Sequence, residues 1–204
     1  MEPRMTSQPV FTLAAGLLIC ALAAPDAQAQ DTGQAHSHTL HEPVFADSSH
    51  IVIDGTSNRS DWTVYAPEFS VTLRMTEDNQ PADVSLRVDA LAMESRKSTI
   101  MDRLMRDALD TDNHDTITFA STGITPSDSS TYVVVGNLEL AGTEQPVTIP
   151  VRRGVNQSGQ VVWDGQVALK MSDFGIKPPT AMFGALHTGN DVTIRFRLVE
   201  LPGD

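Results

Sequence analysis

Apolar and polar residues alternate along this chain with a period of two, in one segment after another. That rhythm restricts the fold more than any other feature. A strand sends successive side chains to opposite faces, so strict alternation implies a sheet with one buried face and one wet face. Val71, Leu73 and Met75 alternate with Thr72 and Arg74; Val84, Leu86 and Val88 alternate with Ser85, Arg87 and Asp89. Ile117 and Phe119 flank Thr118, and Tyr132, Val134, Gly136, Leu138 and Leu140 share one parity. So do Val147, Ile149 and Val151, then Trp163, Gly165, Val167 and Leu169, then Val192, Ile194, Phe196 and Leu198. With the short stretches at 51–53 and from Trp62, about eight or nine strands are predicted.

The breaks between these runs carry turn residues. Asp78-Asn79-Gln80-Pro81, the stretch 126–130 (PSDSS) and Asn156-Gln157-Ser158-Gly159 sit at hairpin spacing. This favours antiparallel neighbours, because a parallel pair needs a crossover of a dozen or more residues. One segment departs from period two. In residues 98–109 (STIMDRLMRDAL), Ile100, Met101, Leu104, Met105 and Ala108 recur every three or four positions. That spacing predicts an amphipathic helix with an inward stripe, and Thr99 with Asp102 resembles a capping box at its start. An all-β chain with one helix leaves a sandwich or a closed barrel. An eight-stranded barrel is either filled by side chains or holds one small ligand. An aromatic content of only 5% favours the hollow version, because few rings are available to plug the interior.

Charge narrows the partners. The chain has 204 residues, with 14 Lys+Arg against 26 Asp+Glu, a net charge of −12. Such a surface repels nucleic-acid phosphates and offers no polybasic grip on anionic lipid. At 40% hydrophobic and 20% charged residues the composition is that of a folded globule. The one cysteine, Cys20, excludes an intrachain disulfide and any cysteine-cluster zinc site.

Residues 1–29 have the form of a cleavable export signal. Arg4 precedes an apolar run at 10–24, and Ala27-Gln28-Ala29 supplies the small-x-small cleavage pattern. The 15-residue run falls short of the ~20 that a membrane-spanning helix needs. Ile19 before Cys20 disfavours lipid attachment at that cysteine, which wants a small preceding residue. Cleavage after Ala29 would leave a cysteine-free chain, as suits a periplasmic location. Residues 30–48 are expected to be a polar lead-in, and 49–204 a single barrel domain without internal repeats.

Three stretches, taken in order, carry a resemblance to a known family. They are 101–123 (MDRLMRDALDTDNHDTITFASTG), 136–151 (GNLELAGTEQPVTIPV) and 169–196, which contains Ser172-Asp173-Phe174-Gly175-Ile176. Behind an export signal they resemble the YceI-like family of bacterial periplasmic proteins over residues 49–201. The resemblance implies a lipocalin-like antiparallel β-barrel enclosing a long amphipathic lipid, typically a polyisoprenoid or isoprenoid quinone, with no catalytic residues. One departure lies at Asn113-His114-Asp115-Thr116, where many members carry a proline before the Ile-Thr-Phe strand.

The chain contains no H-E-x-x-H, P-loop, G-x-S-x-G or G-x-G-x-x-G pattern. An enzyme would need a polar constellation inside the barrel that the strand parity does not show. The candidate pocket residues are the inward strand faces and the helix stripe: Leu73, Leu86, Met101, Leu104, Met105, Phe119, Val134, Leu138 and Phe174. Each is equally consistent with plain core packing. Met182 and Phe183 are candidates for a lip over the opening, although a plain loop is the simpler reading. The competing signal is His36-x-His38-x-x-His41, three imidazoles at a spacing that chelates divalent transition metals or arises by chance in a solvated tail. Two functions follow as expectations. One is a non-enzymatic carrier of an isoprenoid-type lipid or quinone, with no other cofactor; the alternative is an interaction or metal-handling module on a barrel scaffold. The sequence leaves monomer and dimer both open.

Overall fold

The computed structural model describes residues 45–201. The expected export signal, Cys20, the His36, His38 and His41 group and most of the polar lead-in lie outside the described residues. Within them the alternation becomes ten strands and one α-helix: β1 (His50–Ser57), β2 (Trp62–Ala66), β3 (Phe69–Met75), β4 (Pro81–Asp89), α1 (Thr99–Leu109), β5 (Thr116–Pro126), β6 (Thr131–Leu140), β7 (Thr143–Val155), β8 (Val161–Lys170), β9 (Thr180–Ala181) and β10 (Leu186–Val199). The count exceeds the expected eight or nine. The added strand, β9, is two residues long, too short to carry any periodicity.

All neighbours are antiparallel, in the order β2-β1-β10-β8-β7-β6-β5-β4-β3, with β9 against β10. From β3 to β8 consecutive strands are neighbours, joined by hairpin turns as the turn spacing predicts, except between β4 and β5, where residues 90–115 carry α1. No ladder joins β2 to β3, so the sheet is a strongly curled half-barrel with a seam. The segment after β4 covers that seam. Tyr65 and Glu94 exchange backbone hydrogen bonds of 2.8 and 3.0 Å, the Asp89 N–H donates to Glu68 O at 3.0 Å, and the Arg96 guanidinium lies 4.2 Å over the Tyr65 ring.

Strand parity sets the burial. One cluster holds Leu73, Phe119, Val134, Leu138, Val147 and Trp163, with Phe174 and Ile176 from the 3-10 turn Met171–Phe174 and the residues after it. A second lies beside the seam: Ile51, Val64, Ala66, Val88, Ala90 and Met93. Two inward glycines make the curl workable. Gly165 pairs with Phe196 and Gly55 with Trp62, and a Cβ at either glycine would overlap its partner's ring. The absent side chain lets the aromatic fold flat over the strand. A bulge between Ser121 and Gly123 shifts the β5 parity, so Phe119 and Ile124 both face inward.

The helix differs from its sequence-based description at its start. Ser98, extended at φ −165°, is the N-cap and accepts from the Ile100 N–H at 3.2 Å. Asp102 does not close a box with Thr99; its carboxylate accepts the N–H of buried Ser95 at 2.7 Å. Ile100, expected in the inward stripe, is instead 68% exposed. The fold also reaches back beyond residue 49: Phe45 bridges Glu200, and the Ala46 N–H donates to Val199 O at 2.7 Å.

Candidate functional site

Inside the curl lies a cavity with about 120 Å³ of room for water centres. Nineteen side chains line it, from β1, β3 to β8 and β10, and all are aliphatic, proline or aromatic. Tyr132 and Trp163 contribute the lining's two side-chain polar atoms, and both are turned to fixed partners. The Tyr132 hydroxyl donates to Gln80 Oε1 at 3.0 Å, and Trp163 Nε1–H donates to Glu200 Oε1 at 2.6 Å. Nothing polar is left to hold water or a charged guest, so the space suits a hydrocarbon chain.

The end bearing the turns at 76–80, 127–130 and 156–160 is fastened. The Tyr132 and Trp163 rings meet at 5.7 Å, Arg153 lies 5.2 Å over Trp163, and its guanidinium donates to Asn79 O at 3.3 Å. The opposite end is covered by α1, by the turn Met171–Phe174 and by the 177–185 loop. No residue of α1 is fully buried. Ala108, Leu109 and Met105 pack partly against the two clusters, and Met101 and Leu104 are half-buried. The Arg106 Nε is buried without a hydrogen-bond partner among the described residues.

Among the sequence-based candidates, Leu73, Leu86, Phe119, Val134 and Leu138 come together on the cavity wall. Phe174 is 2% exposed in the main cluster, outside the lining. Met101, Leu104 and Met105 lie on the helix, also outside it. Met182 and Phe183 are on the exterior, 67% and 113% exposed. Fourteen of the nineteen lining residues were not among the candidates; eleven, such as Val71, Trp163 and Phe196, lie on inward faces that the alternation marks, whereas Pro81, Ile124 and Ile51 do not. The bulge hides Ile124, and the other two sit where strands begin.

The outer face is polar and paired across strands. Arg195 Nε donates to Asp54 at 2.7 Å, and Arg197 grips Asp164 through two bonds of 2.6 and 3.1 Å. These exposed pairs contribute little stability. Among the described residues no three His, Cys, Asp or Glu side chains gather as a metal site, and no helix is long and apolar enough to cross a membrane. Hydrogen bonds from the Ser95 N–H and hydroxyl, with a smaller attraction from Arg106, hold the Asp102 carboxyl below the ordinary carboxylate range.

Known proteins share this arrangement. A UPF0312 protein of Azotobacter vinelandii is 37% identical over 76 residues, 35% of this chain and 40% of that protein, so the match spans less than half of that relative. Among solved structures, BcnA of Burkholderia cenocepacia superposes with a TM-score of 0.63 at 20% identity, over 76% of this chain and 99% of that one. A polyisoprenoid binding domain from Saccharophagus degradans, implicated in plant cell wall breakdown, gives 0.59 at 14% identity over 80% and 99%. The YCEI protein of Campylobacter jejuni gives 0.57 at 13% over 69% and 84%. At such identities these likenesses show the fold. The model of the YceI-like domain matches residues 36–199, and on that match this chain belongs to the YceI-like domain family.

Proposed function

We propose that this protein is a non-enzymatic binding protein that carries or sequesters an isoprenoid-type lipid or quinone inside its curled sheet. The observation that carries this reading is the lining: nineteen apolar or aromatic side chains with their two polar atoms already partnered. A relative named as a polyisoprenoid binding domain supports the ligand class. The signal-like residues 1–29 support a periplasmic place of work. Contacts to the ligand fall to Leu73, Leu86, Phe119, Val134 and Leu138. Burial contributes about 25 cal/mol per Å², so a tail burying several hundred Å² gains several kcal/mol before ordering costs.

Size sets a condition on this reading. The cavity is smaller than a long isoprenoid tail, so a full-length ligand must part the walls. The parts that would have to move are the join between β2 and β3, which has no strand ladder and is bridged by residues 89–96, and the half-buried helix. The test is organic extraction, followed by mass spectrometry, of protein purified from its own host. An isoprenoid lipid at about one per chain is expected. Lipid-free protein that also takes up no added isoprenoid contradicts the proposal.

A further inference from the structure

Phe183 points its ring wholly into solvent, 113% exposed, and its neighbour Met182 is 67% exposed. A soluble protein ordinarily tucks a phenylalanine away. Here the backbone is held so that it cannot. Met182, Phe183 and Gly184 follow one another at φ of 52°, 57° and 88°, a left-handed run that two residues with side chains adopt only under constraint.

The constraint is visible at the base of the loop. β9 pairs with the start of β10, the Ala185 N–H donates to Met182 O at 3.1 Å, and the Thr188 N–H donates to Pro179 O at 3.1 Å. From the adjoining β1–β2 turn, the Asn58 side-chain amide donates to Ala185 O at 2.9 Å, and its carbonyl accepts from the His187 N–H at 3.1 Å. The result is an apolar tip on a fastened base.

Charge indicates what the tip meets. The chain carries 26 acidic residues, yet none lies between Asp173 and Asp191, a span that includes Lys177 and His187. The adjoining turn adds one charge of each sign, Arg59 and Asp61. The tip's own surroundings thus carry no excess of acid on a strongly anionic chain. Two side chains are too few for a protein interface, which buries about 800 Å² per partner. A bilayer boundary, by contrast, accepts a single aromatic wedge.

We infer that Met182 and Phe183 form a prong that dips into the headgroup–acyl boundary of a lipid bilayer and docks the helix-covered end of the sheet there. The inference rests on the lipid-binding reading, for which it supplies the place of exchange. The test is co-flotation with vesicles of phosphatidylcholine, alone or mixed with phosphatidylglycerol. Wild type should float with phosphatidylcholine alone and no better with the mixed vesicles, because a net charge of −12 opposes anionic lipid. The Met182→Ser/Phe183→Ser variant, whose changes are on the surface, should keep its thermal midpoint and lose about tenfold in partitioning. In Phe183→Trp, emission should shift to the blue and be quenched by acyl-brominated lipid, above the constant signal of Trp62 and Trp163. Equal flotation of the double variant, or an unquenched indole at position 183, overturns the prong. Uptake of a fluorescent polyene fatty acid is measured alongside. Uptake by the double variant together with lost flotation supports the prong. If wild type takes up none of it, the lipid-binding reading falls, and the vesicle data still decide the prong separately.

Discussion

At the turn end of the curled sheet, Tyr132 and Trp163 close the interior with their polar atoms tied to Gln80 and Glu200, and Arg153 is laid across the top. At the helix end, α1 has no fully buried residue, and the neighbouring seam lacks a strand ladder. Both ends belong to one sheet, and both are built from apolar residues backed by polar ones. They differ in how many restraints each side chain satisfies. A cavity that must admit a guest needs one wall that yields at low cost, and stability within a fold is unevenly spread for that reason. On the proposed lipid-binding reading, the latched end would hold the fold and the helix end would admit the guest.

The largest effect should come from the latched end. Trp163→Ala removes a 4% exposed indole and strands the Glu200 carboxylate, and should cost about 3–5 kcal/mol in urea unfolding. At the helix end Leu104→Ala, trimming a half-buried side chain, should cost about 1 kcal/mol and speed release of a bound polyene fatty acid. Equal costs at the two ends would break the comparison.

Asp102→Ala tests how the lid is tied on. It removes the acceptor of the buried Ser95 N–H and should cost about 1 kcal/mol at neutral pH. Its folded carboxyl sits below the unfolded value, so its contribution is present above about pH 4 and disappears as pH falls through the lowered folded value. The gap in thermal midpoint between wild type and Asp102→Asn should therefore close in acid. A gap that widens in acid would reverse the sign. The smallest effect is expected outside: Arg197→Gln breaks an exposed pair with Asp164 and should leave the thermal midpoint nearly unchanged.

How much of this was legible in the sequence depends on the range of the interaction. Parity is local, and it gave the correct inward faces of β3 to β8 and β10, hence Leu73, Leu86, Phe119, Val134 and Leu138 on the cavity wall. Ile124 escaped because the bulge at Ser121/Gly123 changes the register by one residue, which alternation alone does not reveal. The open seam was hidden for another reason. Whether β2 meets β3 depends on how far the whole sheet curls, and the residues 90–95 that cover the gap have no periodic signature. Met182 and Phe183 look like ordinary loop apolars in sequence; only their exposure in the folded chain shows that they point outward.

Hydrogen exchange with and without an added isoprenoid alcohol tests the central claim most directly. The account predicts that ligand slows exchange in α1 and in residues 90–95, where the yielding wall reseats around the guest. The turns at 76–80, 127–130 and 156–160 should be nearly unchanged. Protection gained first at those turns, or no change anywhere at saturating ligand, would contradict it.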